Sequence, residues 1–357
     1  MRSSAMAFGA QFLSDFRAAR VTPTNLVLNV TLKCPLKYSH CCFSSDMFHG
    51  GHLSAADVHR CIQQAAQIPS MEIIHFVGGD PMLHADIVAD AVALAASLGL
   101  RAGITTSAFW AKSPARATTA VRRLRDAGLT EMTLSYDDPH AEFVPLNFIA
   151  NAVAAARECG LLLRIAVVVE AGSKITAASL RADLGLQDEP GINIYETVAN
   201  STGRGEGTDE DTQAGRVRHA SAYRGPCESV LHTVTVDHEG GIRPCCGVLP
   251  HYDSLKVGHI AKEGIEAAMQ AAADDPLYRW IRLEGPVAIL AAVTAADPVP
   301  MRVEDFDGIC TACDRIFRSP ELLARVREAA EARRGQIETC EILLDGQAAS
   351  ANLVAAQ

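Results

Sequence analysis

Residues 25–43 read NLVLNVTLKCPLKYSHCCF, and the reading of this stretch decides the fold. Its first part, Asn25–Val30, has the apolar alternation of a half-buried strand. Its second part crowds Cys34, Tyr38, His40, Cys41 and Cys42 onto one short loop. A loop directly after a parallel strand is where α/β folds keep their chemistry. Thiols gathered there can hold a soft metal ion or an iron–sulfur cluster.

Outward from this loop the chain alternates strands with helices. Ser54 precedes Ala-Ala-Asp and predicts an N-capped helix to about Ile68, stopped at Pro69. Met71–Val77 predicts a buried strand that runs into Gly78-Gly79-Asp80-Pro81. A helix over about Asp86–Leu98 ends at Gly99. Further strands are predicted at Arg101–Ser107, Leu129–Tyr136, Leu161–Glu170 and Gly191–Ala199. Helices between them are predicted at Pro114–Ala127, Val144–Cys159 and Ala177–Leu184. This rhythm implies a parallel sheet with crossover helices. By itself it fits a doubly wound open sheet as well as a barrel.

Beyond Ala199 the rhythm stops. Residues 201–226 are rich in Gly, Thr, Asp, Glu and Arg and read as a loop or linker. His232–Asp237 and Gly241–Pro244 read as a hairpin around Glu239-Gly240. Lys262–Ala273 and Pro320–Arg334 read as helices, Pro286–Pro300 has no clear assignment, and the tail after Gly346 reads as frayed.

Composition narrows the function classes. The chain of 357 residues is 48% apolar and 21% charged, as in a globular protein with a large core. A formal charge of −10 argues against general binding to nucleic acid or to a membrane surface. No apolar run is long enough to span a bilayer, and residues 1–16 lack a secretory signal, so a cytoplasmic location is expected. In such a reducing compartment the 11 cysteines are not expected to form disulfides. Cys61, Cys159 and Cys340 stand alone and read as small apolar residues. Cys227, Cys245, Cys310 and Cys313 form a second group, which suits either zinc or a [4Fe–4S] cluster. Cys42 and Cys246 adjoin proposed ligands and stay outside the ligand set, because neighbouring residues rarely aim at one metal.

The loop resembles that of radical S-adenosylmethionine (SAM) enzymes, which reads cysteine, three residues, cysteine, two residues, cysteine. Cys34 and Cys41 stand at the first and third places, and Tyr38 stands at the middle one. The resemblance implies an open (β/α)6 partial barrel with its active site at the strand C-termini. It implies a core [4Fe–4S] cluster on Cys34 and Cys41. It places SAM against Gly78, Gly79, Asp80 and Pro81, which match the family's Gly-Gly-Glu-Pro turn, and against Ser135 and Asp137 near the ribose. Read without the resemblance, these are a tight βα turn and a turn cap. Ser201-Thr202-Gly203-Arg204 resembles a Gly-Arg turn on the adenine and substrate side.

The second cysteine group, with Lys256-Val-Gly258-His-Ile260 between its halves, resembles the small α+β auxiliary-cluster domain called twitch, a truncated SPASM domain. The implied domains are a lead-in at 1–24, the core at 25–205, a linker at 206–226, the auxiliary domain at 227–318, and a helix and tail at 319–357. The implied activity is reductive cleavage of SAM to oxidise or crosslink a peptide or a small metabolite. The implied partners are a flavodoxin or ferredoxin as electron donor and a separate peptide-recognition protein. No general acid or base stands out. Tyr38 leaves three readings open: Tyr38 or a neighbour such as His40 or Cys42 is an unusual ligand, the chain is a non-catalytic relative that binds SAM or peptide, or Tyr38 is a single-base change. A binding protein stabilised by zinc at the second group is a further reading.

Overall fold

The computed structural model describes residues 23–355, apart from residues 188, 190, 208–209, 220–221 and 247–251. Most of the expected lead-in therefore lies outside the described residues.

Six parallel strands come first: β1 (Asn25–Thr31), β2 (Ile73–Gly78), β3 (Arg101–Thr106), β4 (Glu131–Ser135), β5 (Leu162–Val169) and β6 (Asn193–Val198). Each pairs in parallel with the next. Helices cross over between them: α1 (Ala55–Ala65), α2 (Ala85–Ser97), α3 (Pro114–Ala127), a single turn α4 (Asp138–Ala141), α5 (Leu146–Glu158) and α6 (Ala177–Asp183). The sheet is open, with β6 at one edge. This is the α/β partial-barrel class that the sequence implied.

Strand alternation sorts the two faces. Leu26, Leu28 and Val30 are fully buried, while Val27, His75 and Val77 line a central cavity. Burying each Leu or Val contributes roughly 1.5–3 kcal/mol, which fixes the register because a one-residue slip would reverse the faces. Local signals set the helix ends. The Ser54 side chain accepts from the Asp57 amide at 3.1 Å. Gly128 closes α3 with φ of 112°, a conformation that favours glycine.

The other edge of the sheet differs from a hairpin standing alone. β7 (Thr233–Val236) pairs in parallel with β1, β8 (Gly241–Arg243) pairs antiparallel with β7, and β9 (Gly258–His259) pairs with β8. One nine-stranded sheet thus runs from β6 to β9. The hairpin turn itself is as expected, with Gly240 at φ of 93°.

Three stretches depart from the sequence reading. Part of 201–226 is a helix, α7 (Glu210–Arg218), and is anchored rather than solvated. Its Arg216 is buried, with Nε donating to Glu170 at 2.7 Å and Nη1 to the Gly205 carbonyl at 2.8 Å. The polar composition hid one buried ion pair. After α8 (Ile265–Asp274) and α9 (Pro276–Leu283), the unassigned apolar stretch contains α10 (Pro286–Val293), which opens on a proline at its first turn. α11 (Ile309–Arg318) and α12 (Pro320–Ala332) follow, and α13 (Arg334–Ala355) continues through the stretch expected to fray. Among the described residues no helix is long and apolar enough to cross a membrane.

Candidate functional site

A cavity of about 330 Å³ opens at the C-terminal ends of β1 to β4. Cys34, Tyr38 and Cys42 form one wall, and Gly78 and Gly79 form another. Ser107, Ser135 and His140 also line it, and Cys246 reaches in from the segment after β8. Cys42 was expected here only as an unusual alternative ligand; Cys246, Ser107 and His140 were not expected here at all. The doublets Cys41-Cys42 and Cys245-Cys246 were the available signal for the two cysteines. The two polar residues had none, because only the fold brings them to the cavity.

Backbone contacts hold the cysteine loop. The Gly79 amide donates to the Thr31 carbonyl at 2.6 Å, and the Asp80 amide to the Lys33 carbonyl at 2.8 Å. A Cβ at Gly78 would collide with the Thr31 carbonyl, and one at Gly79 with the Lys33 carbonyl. The glycines are thus required for close approach to the chain's own loop, as well as lining the cavity. At the far end, the Arg204 amide and the Ser44 amide both donate to the Cys41 carbonyl at 3.0 Å. Gly203 has φ of 57°, and a Cβ on it would collide with the Cys42 carbonyl. The Arg204 guanidinium donates to the Ser45 carbonyl at 3.0 Å. The Gly-Arg turn, which the resemblance put on the substrate side, therefore clamps the end of the cysteine loop, and so links the loop after β1 to the turn after β6.

Asp80 does not face the cavity as the resemblance implied. It is fully buried behind the turn. One carboxylate oxygen accepts from the Met82 amide at 3.0 Å, and the other from the Ser107 amide and hydroxyl at 2.9 and 2.7 Å. The Thr106 hydroxyl contacts both oxygens. These partners occupy the carboxylate's acceptor sites, so Asp80 ties the glycine turn to the end of β3. Burial nonetheless pushes its carboxyl up from the ordinary range.

Asp137 is likewise a positioning group. It is fully buried, and its two oxygens meet His140 Nδ1 at 2.6 Å and His40 Nε2 at 3.1 Å. It also accepts from the backbone amides of His140 and Val168. Burial would raise its carboxyl, but the histidine hydrogen bonds outweigh burial and hold it far below the usual range. Among the described residues, His40, Asp137 and His140 are the group whose ligand atoms all lie within 4.8 Å of one another. Tyr38 packs on this group, with its ring centroid 4.0 Å from His140 and 4.9 Å from His40. Burial, and then the thiolate charges of Cys41 and Cys42, push the phenol well above its ordinary value.

The second cysteine group comes together from three segments. Cys310 and Cys313 share one face of the first turn of α11. The thiolate charges of Cys246, Cys313, Cys227 and Cys245 all act on Cys310, in that order of strength, after the larger effect of burial. Burial also leads at Cys313, followed by Cys227, Cys245 and Cys246. Cys227, Cys245, Cys310 and Cys313 are thus neighbours, and Cys246 is a fifth. Both thiols of α11 are held well above their ordinary values, so loading a metal there must release protons.

Residues 28–161 match the family model described as Radical SAM superfamily. This part of the chain is a radical SAM domain. The "Putative peptide biosynthesis protein YydG" of Bacillus subtilis (strain 168) is 21% identical over 82% of this chain and 92% of its own length. The "PqqA peptide cyclase" of Rhodopseudomonas palustris (strain ATCC BAA-98 / CGA009) is 30% identical over 33% of this chain and 30% of its own. The solved structure of native anSMEcpe with bound AdoMet and Cp18Cys peptide superposes with a TM-score of 0.53, at 12% identity. It covers 87% of this chain and 99% of that one, which supports the fold alone.

A radical SAM domain has S-adenosylmethionine and a [4Fe–4S] cluster as its cofactors. The donor set here suits such a cluster in kind, since soft thiols line the cavity beside Tyr38 and the glycine turn.

Proposed function

We propose that this chain is a radical SAM enzyme that oxidises or crosslinks a peptide after reductive cleavage of SAM. The observation that carries the reading is the union of a radical SAM domain with a thiol-lined cavity at its strand ends. The relative named for peptide biosynthesis, which aligns over most of both chains, favours a peptide over a small metabolite. When bound, the cluster and SAM supply a hydrogen-abstracting 5′-deoxyadenosyl radical, and an auxiliary cluster supplies an acceptor for the second electron.

The chain's own residues bind, orient and exclude water. Cys34 and Cys41 hold the core cluster, and Cys227, Cys245, Cys310 and Cys313 hold an auxiliary [4Fe–4S] cluster rather than zinc. Gly78 and Gly79 face the amino group of SAM, and Ser135 faces its ribose. Asp80, Pro81 and Asp137 act behind that wall, fixing the turn and the strand end. The rings of Tyr38 and His140 keep water from one side of the cavity. The core covers 25–205 and the auxiliary domain 227–318. The protein works in the cytoplasm with a flavodoxin or ferredoxin as donor, and a separate protein presents the peptide.

The test is anaerobic incubation of the iron-loaded chain with SAM, a reductant and a panel of synthetic peptides. Loss of hydrogens from a peptide of the panel, read by mass spectrometry, is expected. A panel left unmodified alongside normal SAM turnover would point to a different substrate class.

A further inference from the structure

We propose that Cys42, and not Tyr38, supplies the third thiolate of the core cluster, together with Cys34 and Cys41. The assignment rests on the radical SAM reading above. Such a cluster takes three protein thiolates, and the loop after β1 holds three cysteines. Cys42 lines the same cavity as Cys34 and Gly78. The thiolate charge of Cys41 acts on it more strongly than that of any other side chain.

Adjacent cysteines are poor ligands for a single ion, because two neighbouring side chains seldom converge on one point. A cubane removes that objection, since each cysteine can serve a different iron. The backbone holds both in place: the Cys41 carbonyl accepts from Ser44 and Arg204, and Gly203 packs directly on the Cys42 carbonyl.

Tyr38 has another position and another chemistry. Its ring packs tilted on His140, with centroids 4.0 Å apart, and the Cys41 thiolate charge acts on its hydroxyl more strongly than any other charge. That is the placement of a residue that supports a ligand from outside the metal, where such contacts orient and tune it. A phenol oxygen is also a hard donor, poorly matched to an iron–sulfur cluster. Cys246 is the other thiol on the cavity, but it acts on Cys310 more strongly than any other cysteine does, which groups it with the second site.

The experiment compares iron, sulfide and Mössbauer spectra of the full chain purified anaerobically, with circular dichroism as a check of folding. Cys42→Ala and Cys42→Ser are each expected to lose roughly four irons per chain, the content of one cubane, as is Cys34→Ala. Tyr38→Phe and Cys246→Ala are expected to keep the core iron, and Tyr38→Cys to add none. Retention of core iron in both folded Cys42 variants, with its loss in Tyr38→Phe or Cys246→Ala, would overturn the assignment while leaving the radical SAM reading intact. Should Cys34→Ala also change nothing, the core cluster itself is absent and the reading fails with it.

Discussion

The loop after β1 carries its three cysteines within one turn of chain, whereas the site around Cys310 collects thiols from the segments at 227, 245–246 and 310–313. The first is shaped by backbone contacts, since Gly78, Gly79 and Gly203 leave no room for a side chain against the loop. The second depends on tertiary structure, because a strand turn, a helix and the segment before β7 must meet. A local site tolerates a changed side chain such as Tyr38 as long as its backbone frame survives. An assembled site needs every segment in place and gains stability from the metal that joins them. Cys246 borders both sites: it lines the first cavity, and its thiolate charge acts on both Cys42 and Cys310.

Breaking the frame of the first site should have the largest effect. Gly79→Ala places a methyl group against the Lys33 carbonyl, with backbone rather than a flexible side chain to displace. We expect a loss of about 3 kcal/mol or more in urea unfolding, and loss of the core iron. Near-normal stability and iron would mean that the loop and turn part easily. At the second site, Cys310→Ala should remove roughly four irons per chain and lower the melting temperature, while the core cluster's spectrum persists. Loss of both clusters would show that the two sites load as one.

A smaller effect separates frame from metal. Arg216 is fully buried, and its removal leaves Glu170 without its cation. Arg216→Ala should cost about 3 kcal/mol of stability with little change in the auxiliary iron of the folded protein. The smallest effect concerns pH. Asp137 has a lowered folded carboxyl pKa, so its contribution is present above the ordinary carboxylate range and is lost as pH falls toward the folded value. The stability gap between the parent and Asp137→Asn, about 2 kcal/mol at pH 6, should shrink below about pH 4. A gap that is constant from pH 6 to pH 3 would assign the effect to packing alone.

Much of this was legible from local pattern. Alternation in β1, the apolar run of β2, Ser54 as a cap and Gly128 as a helix stop are signals within a few residues, and the structure follows them. The glycine turn and Cys34 were also legible as cavity residues. What escaped depends on distant partners. The polar composition of α7 does not reveal that Arg216 meets Glu170. The acidity of Asp80 reads as a ligand contact, until Thr106 and Ser107 arrive from β3 to occupy it. The parallel pairing of β7 with β1 joins residues far apart in the chain, so periodicity could reveal the hairpin but not its seat.

The most direct test of the whole account is reductant-dependent formation of 5′-deoxyadenosine by the full chain, reconstituted anaerobically with iron and sulfide and given SAM alone. Formation is expected from the parent and from Tyr38→Phe, and none from Cys34→Ala. A parent that holds iron at both sites yet forms no 5′-deoxyadenosine would contradict the account.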